Sequence, residues 1–133
     1  MPPIPSIEAV GYLTSDTVWN LRELPRRLLV LGGGPIGCEL AQAFARFGAM
    51  VTLVEMAPRL LVREDEDVSA IVEQRFATEG IRLLTAHRAK QFVIENGEKT
   101  LIAEHQGGEA HIGFDTVLVA VGRAANLTGY GLE

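Results

Sequence analysis

Between Leu28 and Glu55 the chain reads LLVLGGGPIGCELAQAFARFGAMVTLVE, and this stretch constrains the fold more than any other. Leu28-Leu29-Val30-Leu31 is too short for a helix and wholly apolar, the pattern of a strand buried on both faces. Gly32, Gly34 and Gly37 follow as G-x-G-x-x-G. Ile36, Leu40, Phe44 and Phe47 then recur at helical spacing, and Gly48 stands where a helix would stop. A second apolar run, Met50 to Val54, closes on Glu55. The order is strand, glycine turn, helix, strand, acid.

Each residue type has a physical reason in that order. Gly32 permits a tight turn off the strand, Gly34 lets a pyrophosphate approach the backbone, and Gly37 lets the helix pack closely. Pro35 falls near the first helical position, where a missing N–H costs little. The free N–H groups and the dipole of that helix end attract phosphate. Glu55, ending the second strand, is placed to accept hydrogen bonds from a ribose diol. The context that a glycine fingerprint requires is therefore present, and it points to dinucleotide binding. The plainer reading of the same residues is a glycine-rich turn in an ordinary βαβ unit.

The chain has 133 residues, enough for one domain with a real core, and its 47% hydrophobic and 22% charged residues are ordinary for a globular protein. A net charge of −5 without a basic stripe argues against a nucleic-acid partner. No apolar run reaches membrane-spanning length. The start, Met-Pro-Pro-Ile-Pro, has neither the basic region nor the apolar core of a signal peptide. Cys38 is the only cysteine, so no internal disulfide is possible and a cytoplasmic setting is expected.

Residues 1–25 read as a linker arm and residues 26–133 as the nucleotide-binding domain. Within the arm, Thr14-Ser15-Asp16 can cap a short helix through Asn20, with Val18, Trp19 and Leu21 offering an apolar contact and Trp19 packing the arm against the domain. After the βαβ unit, Arg59 and Arg63 lie in a loop from which either could reach a nucleotide; a solvated loop charge is the plainer reading of each. Glu64-Asp65-Glu66-Asp67 suits a helix start, with Val68, Ile71, Val72 and Phe76 as its buried stripe and Gly80 as its end. Ile81 to Leu84 is a third short strand. Then the pattern changes: Asn96-Gly97 is a hairpin turn, Gln106-Gly107-Gly108-Glu109 another, and three antiparallel strands are expected over 87–113. Val117 to Val121 returns as a buried parallel strand, ending at Gly122-Arg123. His87, His105 and His111 lack metal-ligand spacing, so no metal site is expected. Cys38, in the first helical turn, could have a lowered thiol pKa, but a small buried residue is the better reading.

Gly-Gly-Gly-Pro-Ile-Gly-Cys-Glu-Leu-Ala at 32 to 41, Val-Glu at 54 to 55, the meander, and Val-Gly-Arg-x-x-Asn at 121 to 126 together resemble the pyridine nucleotide–disulfide oxidoreductases. Dihydrolipoamide dehydrogenase and mercuric reductase are the most similar kinds. The resemblance covers nearly the whole chain but only that family's NAD(P)-binding domain. It implies a Rossmann-like parallel sheet with helices on its faces and an antiparallel meander as crossover. It implies that Gly32, Gly34 and Gly37 line the pyrophosphate, that Gly33, Pro35 and Ile36 belong to the same cofactor site, and that Glu39 approaches the nicotinamide amide. Glu55 would hold the adenosine ribose, His87 would lend backbone contacts on the adenine side, Gly122 would let its backbone approach the nicotinamide half, and Arg123, also in the cofactor site, would sit with Asn126 where the family turns back toward its flavin domain. Pro35 departs from glutathione reductases, which carry a gating tyrosine there, and Ala125 departs from the family's usual proline.

The family's redox cysteine pair belongs to an FAD domain and its acid–base histidine to a dimerisation domain, and the resemblance places neither in these residues. It implies an excised cofactor domain of a homodimeric flavoenzyme: binding NAD in preference to NADP, binding no FAD itself, holding no catalytic residue, and inactive alone. In the parent, nicotinamide would pass hydride to flavin. A stand-alone regulatory NAD(H) sensor is the alternative. A simple dehydrogenase has little support, with no Tyr-x-x-x-Lys pair.

Overall fold

The computed structural model describes residues 4–121. The expectations placed on Gly122, Arg123, Ala125 and Asn126 lie outside the described residues. A parallel sheet runs in the order β1 (Leu13–Thr14), β8 (Thr116–Val119), β2 (Arg27–Leu31), β3 (Met50–Val54), β4 (Arg82–Leu84). Helix α2 (Pro35–Arg46) links β2 to β3, and α3 (Glu66–Thr78) links β3 to β4. A separate antiparallel sheet of β5 (Arg88–Glu95), β6 (Glu98–His105) and β7 (Gly108–Phe114) links β4 back to β8.

The handedness rule explains the layers. From β2 through β3 to β4 the chain steps one way across the sheet, so right-handed crossovers place α2 and α3 on the same face. The return to β8 steps the other way past β2, which puts its connection, the meander, on the opposite face. β2 is thus covered on both sides, as its apolar run predicts. Leu28 and Val30 face Leu40, Ala41 and Phe76 beneath the helices. Leu29 and Leu31 face Phe92, Leu101, Ile112 and Phe114 of the meander. The long helices therefore share one face rather than occupying both. The step direction reverses at β2, whose neighbours β3 and β8 diverge in connectivity, and in open α/β sheets that position opens a crevice at the carboxyl ends.

Asn96-Gly97 turns β5 into β6 with φ of 52° and 80°, and Gln106-Gly107 turns β6 into β7 with 52° and 78°, the left-handed pairs that tight hairpins need. Arg27, at the start of β2, ties the layers at one end by donating to Asp115 and Glu98.

The stretch over 4–25 is packed in: α1 (Ile7–Val10) buries Ile7 and Val10 against the meander side, the Pro5 carbonyl accepts from Phe92 N–H at 3.0 Å, and β1 extends the sheet. Four expectations need correction. The helix expected up to Asn20 is a single 3-10 turn at Val18–Asn20. One such turn directs one side chain inward, and that is Val18; Trp19 is 74% exposed and does not pack. On α3 the inward residues are Ser69, Val72 and Phe76, while Val68 and Ile71 face out. On α2 the buried positions are Gly37, Cys38, Leu40 and Ala41, and Phe47, just past the helix end, faces out against the edge of the Phe44 ring.

Candidate functional site

The glycine loop occupies the crevice. Gly32, with φ 112°, sits so close to the end of β8 that a Cβ there would lie 2.4 Å from the Ala120 carbonyl oxygen. Only glycine combines that backbone and that approach. A Cβ on Gly37 would lie 1.9 Å from the Gly32 carbonyl oxygen, so the first turn of α2 packs on the loop itself. Gly34 is the opposite case: a Cβ there meets nothing within 4 Å, and its φ of −80° is ordinary. Gly32 and Gly37 are glycine because protein fills the space, whereas Gly34 borders open space at the mouth of the helix. Pro35 is the first residue of α2, and no acid lies in the first turn to compete with an anion there. Ile36 is half-buried and Glu39 exposed on the outer face of α2.

Glu55 is fastened to this loop. One carboxylate oxygen accepts from Gly33 N–H at 2.7 Å and the other from Ala57 N–H at 2.6 Å. Each oxygen keeps a further lone pair, so the group can still accept from a diol. Gly33 has no room for a side chain, since a Cβ would lie 2.6 Å from the Leu60 side chain and 3.1 Å from Glu55. The backbone of Glu55 is held from the other side, with its N–H on the Leu84 carbonyl and its carbonyl accepting from His87 N–H at 3.1 Å. The His87 imidazole turns inward. Its Nδ1 bonds the Thr85 carbonyl at 2.7 Å, and its ring stacks on His105 at 4.0 Å between centroids.

The loop after β3 is more organised than its sequence suggests. Leu61 N–H donates to the Gly33 carbonyl at 2.8 Å, and Leu60 is fully buried. The Glu73 carboxylate accepts from Leu60 N–H at 2.9 Å. Arg59 is neither a solvated charge nor directed at the crevice: its guanidinium donates to the carbonyls of Glu64 and Val62 and to Ser69 Oγ, at 2.9, 3.1 and 2.6 Å. Ser69 in turn donates to the Leu60 carbonyl at 2.6 Å. Arg63 is exposed. Sequence reading missed Ala57, Leu60, Ser69 and Glu73; the only hint was the apolar pair Leu60-Leu61 inside a charged loop.

Cys38 is buried, with Sγ 3.4 Å from the Gly33 carbonyl oxygen. Burial first, then the negative charge of Glu55 and Glu73, pushes its thiol up to about 12, so it stays protonated and unreactive. Among the described residues no group of three metal-ligating side chains converges. A cavity of about 330 Å³ lined by Arg27, Met50 and Arg82 lies at the amino ends of the strands and includes none of the glycine-loop residues.

The pattern of one protein family, pyridine nucleotide-disulphide oxidoreductase, matches residues 1–133. The chain belongs to that family. A mercuric reductase of Staphylococcus aureus is 39% identical over 134 residues, covering 100% of this chain and 24% of that protein. A dihydrolipoyl dehydrogenase of Bacillus subtilis is 36% identical, covering 98% of this chain and 28% of its own length. The chain thus spans about a quarter of the curated relatives it matches. The HOCl-induced flavoprotein disulfide reductase RclA of Escherichia coli superposes with a TM-score of 0.84 at 33% identity, over 96% of this chain and 29% of that one. These relatives are oxidoreductases. Among the described residues, no helix is long and apolar enough to cross a membrane.

Proposed function

We propose that this chain is the NAD(H)-binding domain of an FAD-dependent member of its family, and that it positions nicotinamide for hydride transfer to a flavin carried by further domains of a homodimeric parent. The observation that carries the reading is the pairing of the open face at Gly34 with the Glu55 carboxylate fastened to the same loop. The open face accommodates a pyrophosphate against the amide end of α2, and Glu55 accepts the ribose hydroxyls. The bound cofactors would supply the redox chemistry; the protein's residues bind, orient and exclude water. Glu39 on α2 borders the nicotinamide half.

Glu55 also supports NAD over NADP. A 2′-phosphate carries about −2 charge, and bringing it beside a carboxylate costs several kcal/mol. Arg59, one of the two loop arginines that could offset that charge, is engaged by Val62, Glu64 and Ser69. The test is calorimetric titration of NADH and NADPH into wild type and Glu55→Ala. Wild type should prefer NADH by on the order of a thousandfold. The variant should lose NADH affinity and narrow the gap. Equal binding of both nucleotides by wild type would refute the role of Glu55.

A further inference from the structure

Resting on the reading of Glu55 as the ribose acceptor, we infer that Arg59 is a positioning residue for that acceptor. It acts through the loop backbone, and it is not a ligand for the nucleotide's phosphates. The links are all short. The Arg59 guanidinium gathers the Val62 and Glu64 carbonyls and Ser69 Oγ. Ser69, 1% exposed, passes the constraint to the Leu60 carbonyl. Leu60 presses on Gly33, and Leu61 N–H holds the Gly33 carbonyl. Gly33 N–H then holds Glu55 Oε1.

A guanidinium suits this position because its planar set of donors reaches several acceptors at once, which a single ammonium does not do with the same geometry. The loop carbonyls it gathers have no ladder to join, so Arg59 both satisfies them and sets the loop's shape. Leu60 is held from a second side by Glu73, whose carboxylate accepts from its N–H at 2.9 Å. The specificity of the ribose site therefore depends on a cation that faces away from it.

The test is a double-mutant cycle on the 133-residue chain, with NADH affinity measured for wild type, Arg59→Ala, Glu55→Ala and the double variant, below their melting temperatures. Arg59→Ala should weaken NADH on the order of tenfold in the wild-type background and less than about twofold when Glu55 is already alanine. NADPH should lose no more than NADH does. Equal losses in both backgrounds, unchanged NADH affinity, or a selective loss of NADPH would each overturn the inference, the last by making Arg59 a phosphate ligand. Ser69→Ala, a milder change, should act in the same direction should Arg59→Ala not fold. Amide exchange at Gly33 and Ala57 reads the same linkage without nucleotide. Both should exchange faster in either variant while Val30 stays protected, and unchanged protection would sink the idea even if wild type bound no NADH. Failure of wild type to bind NADH, by contrast, counts against the proposed function.

Discussion

Gly34 and Gly37 stand three positions apart in one motif yet owe their identity to different causes. At Gly37 the obstacle is the Gly32 carbonyl, 1.9 Å from where a Cβ would sit, so Gly37→Ala must push α2 off the loop. A cost of roughly 1–3 kcal/mol is expected, as for other overpacked sites. At Gly34 nothing within 4 Å resists a methyl group and φ is unstrained. Gly34→Ala should leave stability within about 1 kcal/mol of wild type, the lost preference for glycine at a helix cap being offset by lower unfolded-state entropy. Its nucleotide affinity should nonetheless fall. Thermal melts with and without NADH separate the two. Gly37→Ala should lower the melting temperature in buffer alone, whereas Gly34→Ala should lose only the rise that NADH confers on wild type. A Gly34→Ala protein that still gained stability from NADH would exclude the pyrophosphate from this face.

At the scale of elements, α2 and α3 lie side by side and Glu79, the cap of α3, joins them. Its carboxylate accepts from Arg46 at 2.7 Å and Gln42 at 2.8 Å on α2, and from Arg75 at 3.0 Å on its own helix. Arg46 first, and then Gln42, draw the Glu79 carboxyl down to about 2 from 4.5. A carboxyl whose folded-state value is depressed contributes stability that is fully present above 4.5 and is lost as pH falls toward 2. Wild type should therefore lose melting temperature across that window more steeply than Glu79→Gln. Parallel acid limbs for the two proteins would show that the contact is too solvent-screened to matter. The phase of α3 is an element-scale result too. Its apolar spacing announces a helix, but Ser69 and Glu73 bond the preceding loop, and those bonds turn Val68 and Ile71 outward.

Across the whole molecule, the parallel sheet is the middle layer between helices and meander, and neither outer layer covers its own apolar face without it. Phe92 and Phe114 meet edge to face at 5.7 Å on the meander side, both almost fully buried. Phe92→Ala should cost about 3–5 kcal/mol, a large part of the roughly 5–15 kcal/mol that holds such a domain folded. Because the layers share one core strand, the loss should be global. Urea transitions of β2 and β6 amides should move to lower urea together. Early melting of β6 alone would make the meander an independent unit.

What the sequence by itself determined is the succession of elements. Leu28 to Leu31, the glycine turn, the α2 spacing, the Met50 to Val54 run and the Asn96-Gly97 turn each act over a few residues, and each appears in the structure close to where it was read. The places of the glycine motif and Glu55 were legible for the same reason, since both follow from residue type beside a strand end. Only the tertiary structure decided that both long helices share a face, because that depends on the direction of each step across the sheet. It also decided that Trp19 stays out of the core that its neighbour Val18 enters, that His87 stacks on His105, and that Arg59 turns toward Ser69 rather than toward the crevice. Those choices are made by partners that pattern along the chain does not specify: a carbonyl, a hydroxyl or a ring brought near by folding, against which a polar side chain is satisfied or left exposed.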